Sequence, residues 1–121
     1  MSAAGLLASM QALATAQSFG ILPETFVRVI NGSTGKNNTT EVKLLPFIIS
    51  RKYNSGFSLN LMAKDVCIAS ELIKNAGFYA PTTGALNDYI ATAINTLNAD
   101  ADHTGLYEMV NPIKLNQTCP R

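Results

Sequence analysis

Clear start and stop signals for helices divide this chain of 121 residues into short segments. Gly20, the pair Asn31-Gly32 and Gly77 stand where apolar runs end, whereas Pro23 and Pro81 stand where new runs begin. Glycine favours the end of a helix and proline favours its first turn, and no sustained alternation of apolar and polar residues indicates a strand. The sequence therefore predicts an all-α fold, a multihelical bundle of about five to six helices.

The bounds of the predicted helices follow from this punctuation and from helix-capping residues. We predict helices from Met1 to Gly20, from Pro23 to Asn31, from a cap at Thr39 or Thr40 through Ile48, from Ser58 to Ala76, from Pro81 to Leu97, and a short one capped by Asp102. The third is expected to kink or split at Pro46, because proline lacks the amide N–H that a helix interior needs. Residues 1–110 are predicted to form the domain, and residues 111–121 an irregular tail.

The first 22 residues carry no charged side chain. A secretory signal would need a basic start, and polar residues such as Gln11 and Thr15 interrupt the apolar run before the roughly 20 residues of a membrane span. We therefore predict a core helix that other helices or a partner subunit pack on all sides, in a cytoplasmic protein without membrane contact.

Composition narrows the function classes. The chain is 47% hydrophobic and 14% charged, which favours one compact or oligomer-forming domain over disorder. Its net charge of +1, with dispersed Lys and Arg residues, argues against nucleic-acid binding. Cys67 and Cys119 have neither metal-ligand spacing nor a disulfide framework, so we interpret them as reduced thiols and expect no metal site.

The predicted fourth helix carries a charged pair among apolar residues. Leu61, Asp65, Ile68 and Leu72 share one stripe of that helix, so Asp65 is expected to point inward. A buried carboxylate without partners costs several kcal/mol. Asp65 is therefore expected either to be satisfied by neighbouring groups and to fix the orientation of the helix, or to line a polar cleft with Lys64 at its edge.

Other candidate residues give weaker signals for chemistry. The single histidine, His103, lies near a predicted helix cap and is interpreted as a capping or surface residue rather than a general base. Lys36 lies in a polar loop, where it could bind an anion or be simply solvated. Phe57 follows a turn and is favoured as a core residue over a cleft residue. No catalytic triad, phosphate-binding glycine loop or metal cluster is present, so we assign no catalytic residue.

Three short motifs, with weaker support from Asp102-His103-Thr104 and Tyr107, carry a family resemblance. The motifs are STGKNNTTE at 33–41, SGFSL at 55–59 and LMAKD at 61–65. Their order resembles the C-terminal helical domain of the β-hydroxyacid dehydrogenase family, which includes 3-hydroxyisobutyrate dehydrogenase and relatives of 6-phosphogluconate dehydrogenase. The resemblance covers roughly residues 3 to 110.

This resemblance implies a cofactor and a set of site residues. Full-length members use NAD or NADP, and the Lys-Asp pair of the family borders the cofactor and active-site cleft. Carried over, it assigns Lys64 and Asp65 to cofactor binding. It likewise assigns Phe57, together with Lys36 and Asn37 of the first motif, to the substrate cleft.

Two parts of the family pattern do not appear in the 121 residues. These are the Rossmann domain and the catalytic lysine of a Gly-x-x-x-Lys-x-x-Asn helix, which the alignment is expected to place about half a dozen residues before Met1. We therefore predict a domain that is inactive and without cofactor when isolated, that forms a homodimer, and that contributes part of a cleft. The alternatives are a stand-alone protein that binds a small ligand, or a protein that docks onto a Rossmann-domain subunit.

Overall fold

The structure, a computed structural model, describes residues 1–111 and consists of helices joined by short turns. The elements are α1 (Ser2–Ser18), α2 (Pro23–Asn31), α3 (Asn38–Val42), a π-helix (Leu44–Ile49), α4 (Leu59–Asn75), α5 (Pro81–Leu97), a 3₁₀ turn (His103–Leu106) and α6 (Tyr107–Val110). Residues 1–111 contain no β-strand, only an isolated bridge between Ser58 and Asp102. The predicted all-α fold is confirmed, whereas the predicted irregular tail lies, beyond Asn111, outside the described residues.

Helix α1 forms the centre of the core. Leu6, Met10 and Leu13 are fully buried, and the helix contacts α2, α3, α5 and α6. Its face with Gln11 and Thr15 is exposed, so the expectation of packing on all sides is not met within this chain. Alanines and short polar side chains make up that face, and they lose little by contact with water.

Asn37 caps α3, two residues before the position expected from the sequence. The Asn37 side-chain oxygen accepts from the Thr40 backbone amide at 3.0 Å, and the Asn37 backbone amide donates to the Thr40 hydroxyl at 2.9 Å. This reciprocal pair is a capping box. The predicted caps, Thr39 and Thr40, are instead buried inside the helix. The side-chain amide of Asn37 donates to the Ser9 hydroxyl at 2.9 Å, which fastens the start of α3 to α1.

The predicted break near Pro46 is confirmed and occurs at Lys43. Helix α3 ends at Val42, and the following turn is a π-helix in which the Ile48 amide donates to the Lys43 carbonyl at 3.3 Å. Pro46 has no N–H to donate, and its ring would clash with the Val42 carbonyl in a continuous α-helix. The wider π-turn accommodates the proline.

Helices α4 and α5 form an antiparallel hairpin with the expected ends. Ser58 caps α4 by accepting from the Leu61 amide at 3.2 Å, and Gly77 has the left-handed φ of 82° that ends many helices. Pro81 is the first residue of α5. The predicted bounds of both helices are confirmed.

The predicted inward stripe of α4 faces outward. Leu61, Ile68 and Leu72 are 49%, 46% and 64% exposed, and Asp65 is also exposed. The core side of α4 is formed by Leu59, Met62 and Val66. The prediction that Asp65 points inward is therefore wrong. Helix α4 carries a second apolar stripe, formed by Leu59, Met62 and Val66, and that stripe packs against the rest of the domain.

The loop between the π-helix and α4 is held in an uncommon conformation. Arg51 and Tyr53 have positive φ angles of 57° and 46°, which are unfavourable for residues with a side chain. Glu108 of α6 accepts from the Arg51 guanidinium at 2.6 Å and from the Tyr53 hydroxyl at 2.5 Å. These contacts fix the path of the chain that leads to α4.

The Asp102 carboxylate then joins this loop to the 3₁₀ turn. It accepts from the Ser55 hydroxyl at 2.9 Å, from the Gly56 amide at 2.9 Å and, as the predicted cap, from the Thr104 amide at 3.0 Å. Burial alone would raise the pKa of Asp102, but the hydrogen bonds from Thr104, Ser55 and Gly56 outweigh it and lower the pKa below 3.8. The charged carboxylate is thus the form that the fold stabilises.

Replacing Asn37 with alanine is expected to destabilise the fold by about 1–2 kcal/mol, because the cap of α3 and the link to Ser9 are lost together. Chemical denaturation measures the change. Asn38→Ala is the control, because Asn38 is exposed and follows the cap. Equal losses in both variants would contradict the role of Asn37.

Asp102→Asn is expected to lower the free energy of unfolding by about 1–3 kcal/mol at neutral pH. A carboxylate with a depressed pKa stabilises the fold above its unfolded pKa, and the stabilisation is lost as pH falls through the folded pKa. The difference in the free energy of unfolding between wild type and variant should therefore be largest above about pH 5 and shrink in acid below pH 3.8. Denaturation at a series of pH values measures it, with the exposed Asp100→Asn as the control. A gap that stays constant with pH would refute the account.

Candidate functional site

A cleft surrounds the start of α1 and consists of three adjoining cavities that share Ser2. The first, of about 510 Å³, is lined by Met1, Ser2, Gly5, Asn37, Asn38 and Thr39. The second, of about 350 Å³, is lined by Ser2, Val42, Lys43, Phe47, Ser55, Phe57, Met62 and His103. The third, of about 220 Å³, is lined by Met1, Ser2, Ala3, Phe57, Met62, Asp65, Val66 and Ala69.

Lys43 and Ser55 bring polar chemistry to the second cavity. Lys43 is the residue at which α3 gives way to the π-helix, so the break caused by Pro46 sets its position. Burial lowers the pKa of Lys43, and the charge of Asp102 partly opposes this effect. The Ser55 hydroxyl is held by the Asp102 carboxylate.

His103 is buried at the base of the second cavity rather than capping a helix at the surface. Only 2% of the residue is exposed, and its Nδ1 lies 2.9 Å from the Phe57 carbonyl oxygen. The Phe57 ring packs edge-on against the imidazole, with centroids 5.3 Å apart and planes at 87°. Burial lowers the pKa of His103, although the hydrogen bond to Phe57 opposes the shift. The prediction of a surface or capping residue is therefore wrong, because contacts with a distant loop cover it.

Phe57 forms the wall between the second and third cavities. It is 36% exposed and lines both of them, so the interpretation of Phe57 as a core residue is also wrong. The Gly56 turn before it has a φ of 93°, which suits glycine and orients the aromatic ring outward over His103.

Asp65 lines the third cavity from its exposed position on α4. Within residues 1–111 its carboxylate makes no hydrogen bond and no ion pair. Its contacts therefore give it no structural role in orienting the helix. The neighbouring Lys64 is exposed and lines none of the three cavities.

The two candidates from the polar loop differ in position. Asn37 lines the first cavity, although its side chain is already used in capping α3. Lys36 is exposed, pairs with Glu41 at 3.3 Å and lines none of the three cavities. The fold thus brings Asn37, Phe57 and Asp65 to one cleft and leaves Lys36 and Lys64 outside its lining.

Lys43, Ser55 and His103 line the second cavity but were not among the predicted site residues. Ser55 and His103 lie within motifs that carried the family resemblance, so those motifs held a usable signal. Lys43 carried none, because nothing in its local sequence places it beside His103. In the part of the chain that the structure describes, no group of three or more His, Cys, Asp or Glu residues could hold a metal ion. Nor is any helix there long and apolar enough to cross a membrane.

Comparison with known proteins places this fold in a family. Residues 1–110 match the family described as the NAD-binding domain of NADP-dependent 3-hydroxyisobutyrate dehydrogenase. A probable mitochondrial 3-hydroxyisobutyrate dehydrogenase of Arabidopsis thaliana is 34% identical over 85 residues, which are 65% of this chain and 24% of the relative. The 2-(hydroxymethyl)glutarate dehydrogenase of Eubacterium barkeri is 33% identical over 73 residues, which are 60% of this chain and 24% of the relative.

A solved structure has the same fold. The 3-hydroxyisobutyrate dehydrogenase of Mycobacterium tuberculosis, solved with L-serine, superposes with a TM-score of 0.77 and 24% identity over 89% of this chain and 39% of that one. The match in fold covers much less than half of the solved enzyme, and the sequence matches cover about a quarter of each curated relative. With a family match over residues 1–110, this chain belongs to the β-hydroxyacid dehydrogenase family.

Proposed function

We propose that these helices form one wall of the cofactor and substrate cleft of an NAD(P)-dependent hydroxyacid dehydrogenase. The observation that carries the proposal is the convergence of Asn37, Phe57 and Asp65 on one cleft at the start of α1. The family expectation had selected these residues from separate motifs. Asp65 has no hydrogen-bond partner within the described residues, which leaves its carboxylate available to a ligand.

The cleft has groups that suit part of a dinucleotide. Phe57 offers an aromatic surface to a flat ring, and the Asp65 carboxylate can accept from a ribose hydroxyl or a carboxamide. Lys64 lies outside the cavity lining but is the neighbour of Asp65 on α4, and its long, flexible side chain can reach toward an anionic group of a bound cofactor. A bound nicotinamide cofactor would supply hydride exchange. The helical residues would orient it and exclude water from one side.

Hydride transfer also needs a proton donor and a seat for the pyrophosphate. The sequence contains no Gly-x-Gly-x-x-Gly fingerprint of a dinucleotide-binding loop, and no catalytic residue is assigned to it. We therefore expect these 121 residues, expressed by themselves, to bind no cofactor tightly and to turn over no substrate. A Rossmann domain would complete the cleft.

The exposed stripe of α4 supports the second part of the proposal, a homodimer. Ile68 and Leu72 lie on the exposed face in the second half of α4, beyond Asp65, and Phe78 and Tyr79 are exposed just after the helix. A second copy that pairs the same face with itself would remove this apolar surface from water. The dimer surface proposed here thus lies on α4, whereas the sequence pointed to α1 as the helix that a partner subunit covers. The cytoplasmic location remains a prediction.

The second candidate function is binding of a small ligand without a Rossmann partner. The cavities on both sides of Phe57 favour this function, because a small ligand needs a concave site and a flat surface would not provide one. Docking onto a separate Rossmann-domain subunit is the third. Co-purification with such a subunit would separate it from the other two.

Grafting tests the cleft directly. Residues 1–110 replace the matching segment of the Arabidopsis relative, and the chimera is expected to oxidise a hydroxyacid with NAD or NADP. Asp65→Asn should then reduce kcat/KM by about tenfold or more, because a charged hydrogen bond to the cofactor is lost, with an unchanged melting temperature.

The matched control is Glu71→Gln, which makes the same chemical change at an exposed position of α4 that lines none of the three cavities. Equal activity of the two variants would remove Asp65 from the site. A folded chimera with no activity would contradict the proposal that this domain supplies a working wall.

Sedimentation tests the homodimer. At tens of micromolar the chain is expected to sediment as a dimer, and Leu72→Glu should convert it to a monomer by placing a charge in the apolar stripe. Val29→Glu is the control, because Val29 is 62% exposed on α2, away from the stripe. A wild-type chain that is monomeric throughout, or equal dissociation by both variants, would overturn the α4 interface.

A further inference from the structure

Lys43 presents an amine to the second cavity without a counterion. Its side chain is half-buried, and within residues 1–111 it forms no ion pair. Among the described residues, no carboxylate lines that cavity. The acidic charge that reaches Lys43 is that of Asp102, whose oxygens are already engaged by donors of the two neighbouring loops. The ammonium form of Lys43 is therefore not neutralised by a direct contact in the part of the chain that the structure describes.

The surroundings of this amine favour its neutral form. Four of the residues that line the same cavity are apolar, namely Val42, Phe47, Phe57 and Met62. Apolar surroundings disfavour a charge. Burial accordingly lowers the pKa of Lys43, although the charge of Asp102 opposes the effect. The imidazole of His103, which shares the cavity, is neutral near pH 7 because burial lowers its pKa as well.

A neutral lysine amine in an apolar cavity is a nucleophile for carbonyl carbon. With an aldehyde it would form an imine, which is a cation when protonated, and no carboxylate lines the described part of the cavity to stabilise that charge. With an activated acyl group it forms a neutral amide. The amide suits this cavity better, because it removes the half-buried charge that no partner compensates.

We propose that Lys43 is an acylation site, at which the amine takes an acyl group from a thioester or an acyl phosphate. The amine nitrogen attacks the carbonyl carbon and forms a C–N bond, while the C–S or C–O bond to the leaving group breaks. The thiolate or phosphate leaves with the electron pair of that bond, and the nitrogen loses one proton to solvent. The cavity of about 350 Å³ has room for a short acyl chain.

Acylation of Lys43 removes a positive charge from the cleft and fills part of the second cavity. It is thus a means of regulating what the cleft admits. The inference needs neither a cofactor nor a Rossmann domain, so it does not rest on the proposed function.

Competition between the lysines of one chain tests the proposal. The chain is incubated with acetyl phosphate or with acetyl-coenzyme A at about pH 7.5, where ordinary lysine amines are almost wholly protonated. It is then unfolded, and the remaining amines are acetylated completely with deuterated acetic anhydride. Mass spectrometry of the peptides gives the fraction of each lysine that reacted in the folded chain. The exposed lysines for comparison are Lys36, Lys52, Lys64 and Lys74.

We expect Lys43 to react at least about threefold faster than the mean of the exposed lysines with at least one of the two donors. A less basic amine has a larger free fraction but is a weaker nucleophile, and the first effect prevails because nucleophilicity falls with only about half the slope. The donor that gives the larger ratio identifies the source of the acyl group. In urea, where the cavity is lost, the difference between the lysines should vanish.

Val42→Asp tests the role of the cavity. Val42 precedes Lys43, lines the same cavity and is 52% exposed, so a carboxylate there can pair with the ammonium group without being buried. This pairing favours the ammonium form and should slow acetylation of Lys43 at least about threefold. Val29→Asp is the matched control, because Val29 is 62% exposed and lines none of the three cavities.

Acetylation of Lys43 no faster than that of the exposed lysines, with both donors, would overturn the site. Equal rates at Lys43 in Val42→Asp and Val29→Asp would overturn the role of the uncompensated charge. The comparison within the wild-type chain decides the proposal even where a variant fails to fold.

These outcomes are separate from those of the grafted enzyme. If Lys43 reacts no faster than exposed lysines but Asp65→Asn still impairs the chimera, only the present inference fails. If Lys43 is acetylated selectively and the chimera is inactive, the dehydrogenase proposal fails and the acylation site remains.

Discussion

The hydrogen bonds of Asp102 hold together the two loops that carry Phe57 and His103 into the cleft. This carboxylate accepts from Ser55 and Gly56, more than forty residues earlier in the chain, and from Thr104 beside it. The same junction pairs the Leu59 amide with the Ala101 carbonyl at 2.7 Å. One charged group therefore satisfies donors from two loops and sets where α4 begins relative to the 3₁₀ turn. This junction positions Phe57, which forms a wall of the second cavity, and His103, which lies at its base.

The loop that contains Arg51 and Tyr53 also helps to position Phe57. Arg51 and Tyr53 adopt left-handed backbone angles that are unfavourable on their own, and Glu108 holds both side chains. The chain thus enters the Ser55-to-Ser58 turn along a fixed path. A cleft built from loops can be precise when its loops are anchored in this way to helices of the core.

Local signals explain how much of the fold the sequence predicts. Prolines and glycines mark helix ends through backbone chemistry that acts within a few residues, so the bounds of α1, α2, α4 and α5 are predictable. The cap of α3 was harder, because Asn37, Thr39 and Thr40 are all good caps and only contact with Ser9 favours the first.

The wrong predictions concern which face of a helix is buried and which residues meet although they are far apart in the sequence. Helix α4 carries two apolar stripes, and its sequence does not say which one packs against the rest of the domain. The carboxylate of Asp65 was a sign that its stripe faces water. His103 is buried by Phe57, 46 residues away, and no local pattern records that contact. Lys43 reaches the cleft only because the π-turn reorients the chain. The motifs of the family resemblance did locate Phe57, Asp65 and Asn37, whose placement in one cleft required the tertiary structure.

The central claim is that the cleft at the start of α1 is the surface that meets the cofactor. An amide chemical-shift map of the chain during titration with NAD and NADP tests it most directly, because weak binding by half a site still perturbs the residues in contact. The account predicts that the perturbed amides cluster at Ser2, Asn37, Phe57 and Asp65. Perturbations confined to Ile68, Leu72 and the residues just after α4, or none at millimolar nucleotide, would contradict it.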